Sequence, residues 1–184
     1  MEVQEDYIIE DKEYWRYDYL TIYEMAGDIV KKATYSTNGY FVSMNEVENE
    51  HGYQNFINFV LKYADSFCLS IYTNDEFKGL EDFHKTKWGY LSDSIQDCEY
   101  TCESPVTKGP EVLIIYFKID HITTRFLKDK KTIYDFKDCI YNKQNNNWLW
   151  DLAFLKDNKI FFISCTHEQF CSIDGNVLNL YNNQ

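Results

Sequence analysis

The chain has 184 residues, enough for one well-buried core and too few for two ordinary domains. Hydrophobic residues make up 45% and aromatics 18%, which excludes disorder over most of the length. A formal net charge of −12 argues against direct binding to nucleic acid or an anionic membrane, since each requires a cationic surface; a basic protein partner or plain solubility remains.

Residues 1–13 are charged and poorly periodic, a ragged lead-in with no basic-then-apolar leader pattern. From Asp18 to Lys32 the apolar residues Leu20, Ile22, Tyr23, Met25, Ala26, Ile29 and Val30 recur at three and four. The spacing predicts a helix closed by Lys31-Lys32, followed by an Asn38-Gly39 turn and a strand from Tyr40 to Met44. Tyr53, Phe56, Phe59, Val60 and Tyr63 predict a second amphipathic helix over about 51–65, and Phe67 to Tyr72 alternates as a strand.

Residues 74–95 are ambiguous, and Asp97–Thr107 reads as an edge. The run from Val112 to Ile119 is nearly continuous in β-branched and aromatic residues, the pattern of a central strand buried on both faces. A helix over 121–128 and a polar loop, Asn142–Asn147, come next. Two strands then follow, Trp148–Leu155 and Lys159–Cys165, joined by an Asp157-Asn158 turn and ending in a Thr166-His167-Glu168 corner. Asp174-Gly175 predicts a hairpin from Phe170–Ile173 into Val177–Leu180. The expected fold is α+β: a single domain over 1–184, with an antiparallel-rich sheet and two or three helices mostly in the N-terminal half.

No run is long and apolar enough for a membrane span, so the expected setting is cytoplasmic, where Cys68, Cys98, Cys102, Cys139, Cys165 and Cys171 stay reduced. Their spacings miss the zinc knuckle, so most of them read as small buried hydrophobes. His167-Glu168 lacks the second imidazole that a zinc-protease helix needs, because position 171 is Cys. Cys165 and His167 share a strand face roughly 7 Å apart, too far for a nucleophile and its base. Phosphate-cradling and nucleophile-elbow motifs are missing from the sequence. No catalytic residue, metal or cofactor is expected, and the chain reads as non-enzymatic.

Binding has more to work with. Residues 1–50 hold twelve acidic and four basic residues, net −8. Glu13, Tyr14, Trp15, Tyr17, Asp18 and Tyr19 interleave charge with large rings around Arg16, the combination that anchors and steers a basic protein partner. Glu46, Glu48 and Glu50 complete the candidate partner-binding set. If that segment is extended, their alternation puts three carboxylates on one side, as a solvated acidic face.

The run Trp150-Asp151-Leu152-Ala153-Phe154-Leu155-Lys156-Asp157-Asn158-Lys159-Ile160, with Ser164-Cys165-Thr166-His167-Glu168, resembles the C-terminal signature of small stand-alone bacterial proteins. Some of those resemble immunity proteins of polymorphic toxin systems. The helix-then-strand opening expected over Tyr19–Met44 is similar to theirs, and the likeness covers about a third of the chain. It implies a protein that binds a cognate toxin, often a nuclease with a basic surface, and blocks its active site. An inhibitor of a bacterial defence protein carried by a phage would have the same compact, acidic profile. A small metal-dependent hydrolase using His167 and Glu168 with distant ligands is the reading from a different class.

Overall fold

A computed structural model describes residues 19–26, 29–36, 39–73, 77–103, 108–138, 148–166 and 168–184. The first stretch departs from expectation. Residues 19–36 form not a helix but two antiparallel strands, β1 (Tyr19–Ala26) and β2 (Ile29–Ser36), in register from Tyr19↔Ser36 to Ala26↔Ile29. The apolar positions fit either period. β-branched and aromatic content (Tyr19, Thr21, Ile22, Tyr23, Ile29, Val30, Thr34, Tyr35) favours the strand. Lys31 stands opposite Glu24 across the ladder rather than at a helix end.

Seven more strands complete one antiparallel sheet. They are β3 (Gly39–Ser43), β4 (Ser66–Tyr72), β5 (Ile95–Glu103), β6 (Lys108–Lys118), β9 (Asp151–Lys156), β10 (Lys159–Cys165) and β11 (Phe170–Asp174). The order is β1-β2-β3-β11-β10-β9-β4-β6-β5, a larger sheet than the sequence suggested. The expected buried strand is β6, with Val112–Ile115 and Phe117 inside, and the expected edge is β5. β10 lies at the centre, paired with β9 through the Asp157-Asn158 turn, whose φ values of 51° and 60° belong to a primed hairpin turn.

Trp148–Leu155 is not one strand. Trp148–Leu149 (β8) pairs with Lys137–Asp138 (β7) in a separate ribbon, and the chain turns at Trp150, whose N–H donates to the Phe136 carbonyl at 2.9 Å. The break buries the indole completely among Phe77, Phe83 and Trp88.

The helices are spread along the chain: α1 (Glu50–Tyr63), α2 (Leu80–Lys85), α3 (His121–Lys128) and α4 (Gly175–Asn182). Single 3-10 turns occupy Asn45–Glu48 and Gly89–Ser94. Two of the four helices thus lie in the C-terminal half, against the expected N-terminal weighting. The missed one is α4. Asp174 does not turn a hairpin there; its Oδ1 accepts the N–H groups of Asn176 at 2.8 Å and Val177 at 3.3 Å as a helix N-cap. Asp serves turns and caps alike, and the i, i+1, i+4 spacing of Val177, Leu178 and Tyr181 sends that face to the core.

The main core lies between one sheet face and the helices. Tyr53, Phe56, Ile57 and Val60 of α1 meet Phe67, Phe117, Phe154 and Phe162 of the strands. Twelve of the thirteen Phe are buried, whereas Tyr90 and Tyr100 stay exposed, so Phe rather than Tyr carries the interior. Among the tyrosines whose side chains are described, Tyr53 is the buried one, and its hydroxyl donates to the Leu127 carbonyl at 2.8 Å. A smaller cluster, including Phe41, Cys68, Ile114, Ala153 and Cys165, lies on the opposite face.

Among the described cysteines, Cys68, Cys165 and Cys171 are buried, as expected of small hydrophobes; Cys98 is half-buried and Cys102 exposed, and Cys139 lies outside the described residues. Burial pushes the thiols of Cys68 and Cys171 up to about 12, where they are poor nucleophiles. Among the described residues no helix is long and apolar enough to cross a membrane.

Candidate functional site

The acidic residues at the start of α1 form a ridge, built in a different way from the extended segment the alternation suggested. Asn45–Glu48 is a 3-10 turn pinned by Met44 and Val47, which are buried, while Glu46, Glu48 and Glu50 are exposed. The short helical turn, not a strand pleat, points Val47 inward and leaves its acidic neighbours in water.

Three contacts fix the ridge. Asn49 caps α1, its Oδ1 accepting the Gly52 N–H at 2.9 Å, while its Nδ2 donates to the Glu46 carbonyl at 3.0 Å. Gly52 lets the helix approach that carbonyl: a Cβ there would lie 1.8 Å from the Glu46 oxygen. The Val47 carbonyl accepts the Ile133 N–H at 3.2 Å, tying the turn to a distant loop. Glu50 has a structural use too, since an acid in the first helical turn complements the helix dipole.

Two tyrosines stand beside the ridge. The Tyr134 hydroxyl donates to Glu48 Oε1 at 3.1 Å across 86 residues of sequence. Burial raises its phenol well above the usual range, helped by the charges of Cys171 and Glu48. Tyr181 of α4 is also raised, first by burial and then by the Glu46 carboxylate. Half-buried rings and exposed carboxylates therefore share one surface, a pairing that their wide separation in the chain conceals in the sequence.

Of the other candidates, Glu13, Tyr14, Trp15, Arg16, Tyr17 and Asp18 lie outside the described residues. Tyr19 opens β1, separated by β2 from β3, the strand that leads into the ridge.

The C-terminal corner holds a feature the sequence reading missed. His167 lies outside the described residues, and Glu168 is exposed between β10 and β11. The polar centre beneath it is Asp151, only 6% exposed, whose Oδ1 accepts the Thr166 N–H at 2.8 Å. The Thr166 hydroxyl donates to the Trp150 carbonyl at 2.6 Å. Burial pushes the Asp151 carboxyl up to about 7; the Glu168 charge adds to the rise and the Thr166 N–H opposes it. The available signal was one Asp inside an otherwise apolar strand.

Two of the other described histidines have surface partners, Asn55 Nδ2 at 3.2 Å for His51 and Ser92 Oγ at 2.6 Å for His84, and His121 opens α3. Among the described residues no group of three or more His, Cys, Asp or Glu could hold a metal ion. Comparison with protein-family models, curated proteins and solved structures finds no match for this chain.

Proposed function

We propose that the chain is a non-enzymatic, protein-binding inhibitor: an immunity protein that neutralises a cognate toxin, acting in the cytoplasm. The observation that carries this reading is the ridge itself, three exposed carboxylates on a turn fixed by Asn49, Gly52 and Val47, with Tyr134 and Tyr181 alongside. Partly buried rings supply contact area at low entropic cost, while carboxylates steer a cationic surface into place. A net charge of −12 extends that steering beyond contact distance. A basic nuclease active site, built to hold phosphate, is complementary to such a face and would be blocked by it.

The test uses the product of the neighbouring gene as toxin. Reversing Glu46, Glu48 and Glu50 to Lys should slow association by about tenfold or more and weaken protection. Unchanged association and protection would remove the ridge from the interface. A neighbourhood of phage structural genes would instead assign the same surface to inhibition of a defence protein.

One observation favours a second reading, a small metal-dependent hydrolase using His167 and Glu168. A carboxyl titrating near neutrality beside another carboxylate is a arrangement suited to general acid catalysis. Against it, Asp151 and Thr166 are buried rather than open to a cleft. Stoichiometric transition metal in the purified protein, with turnover lost in Glu168→Gln, would replace the binding reading.

A further inference from the structure

A second surface feature is independent of the ridge. The 3-10 turn Gly89–Ser94 and helix α3 enclose an open cleft of about 570 Å³ lined by Tyr90, His121, Ile122, Arg125 and Asp129. Along α3 and onto its C-cap the polar lining residues recur every four positions, so His121, Arg125 and Asp129 form a row along one face, about 6 Å per step. Tyr90 faces them from the turn, 56% exposed.

The walls are preformed. Ser94 Oγ donates to Asp120 Oδ2 at 2.8 Å, bridging the turn to the N-cap of α3. Asp120 Oδ1 in turn accepts the Ile122 and Thr123 N–H groups at 2.9 and 3.0 Å. Trp88 and Leu91 anchor the turn in the core, as Phe126 and Leu127 anchor the helix. Because Asp120 occupies the free N–H groups of the helix start, any ligand in the cleft must be recognised by side chains.

Those side chains are uncommitted. Arg125 and Asp129 are four apart, but with the cation N-terminal to the acid, the weaker order for a helical pair, and among the described residues no ion pair joins them. Both nonetheless act on the same point: the Tyr90 phenol is raised first by burial, then by Asp129, and lowered by Arg125. The cleft thus presents the Arg125 cation with the His121 imidazole beside it, the Asp129 carboxylate at the other end and an aromatic wall at Tyr90. A dianion would meet Asp129 and the chain's own −12 field; a cation would meet Arg125. A molecule carrying both charges meets neither penalty.

We propose that this cleft binds a small zwitterion, a free amino acid or short peptide, with its carboxylate on Arg125 and His121, its ammonium on Asp129 and its side chain against Tyr90 and Ile122. The volume lies within the usual range of small-molecule sites. The guanidinium offers the fork that a carboxylate takes in two hydrogen bonds.

Calorimetric titration of the full chain with phenylalanine, N-acetylphenylalanine, phenylalanine methyl ester and inorganic phosphate tests this. Saturable millimolar or tighter binding of phenylalanine is expected, weakened about tenfold by either cap. Arg125→Gln should abolish discrimination against the ester, and Asp129→Asn discrimination against the acetylated form. Both positions are exposed, so the variants are expected to melt with the parent. No saturable phenylalanine binding, equal binding of the capped forms, or tighter binding of phosphate would each overturn the proposal.

Discussion

The chain places carboxylates in two contrasting settings. On the ridge, Glu46 and Glu48 of the turn and Glu50 at the start of α1 stand in water, on a backbone fixed by Asn49 and Gly52. At the C-terminal corner, Asp151 has given up water for one N–H, from Thr166, and burial pushes its carboxyl up to about 7. The exposed acids cost the fold little and are free to meet a partner, whereas the buried acid is a constraint on the fold that depends on pH. Acidity alone therefore says nothing about function until burial is known.

The strongest way to break the contrast is to titrate it. Unfolded, the Asp151 carboxyl releases its proton near the ordinary value of 3.8; folded, near about 7. Between those values the folded state holds a proton that the unfolded state has lost, so stability falls as pH rises through the window and levels off above it. The fall should approach ~4 kcal/mol as an upper limit, measured by denaturant melts from pH 4 to 8. Asp151→Asn, which stays neutral, should flatten the profile. An Asp151→Asn profile identical to the parent's would assign the dependence elsewhere.

Gly52→Ala comes next. It leaves every charge in place but drives a methyl into the Glu46 carbonyl, so thermal unfolding should show a loss of about 1–3 kcal/mol, with weaker binding of the proposed partner. Asn49→Ala removes the cap of α1 and should cost about 1 kcal/mol in the same assay. Smallest is the effect of Glu46→Lys and Glu48→Lys on stability, within about 0.5 kcal/mol, although these changes should alter association rate and its salt dependence. A large melting shift there would show that the ridge supports the fold more than it serves a partner.

Much of the fold was legible where local pattern and tertiary demand agree. The α1 stripe, the β4 alternation, the apolar run of β6, α3 and the Asp157-Asn158 hairpin all satisfy their own sequence rules. β1–β2 was misread because Leu20, Ile22, Tyr23 and Met25 suit two periods, and the neighbouring strand β3 decides between them. α4 was misread because Asp174 caps a helix as readily as it starts a turn. The ridge acids were visible in composition, but Tyr134 and Tyr181 reach them only through the fold. Asp151 drew no notice as a titrating group because its burial follows from pairing with β4 on one side and the corner below β10 on the other.

The order of the strands also sets a timetable. The meander β1-β2-β3 and the group β4-β6-β5 do not pair with each other; β11, β10 and β9 lie between them, supplied by residues 151–174. During synthesis both groups emerge first, each with a strand, β3 or β4, waiting for a neighbour that has not yet been made. A nascent chain paused before residue 151 therefore holds two separate half-sheets with open edges, and the joining of the molecule is left to the arrival of its last strands.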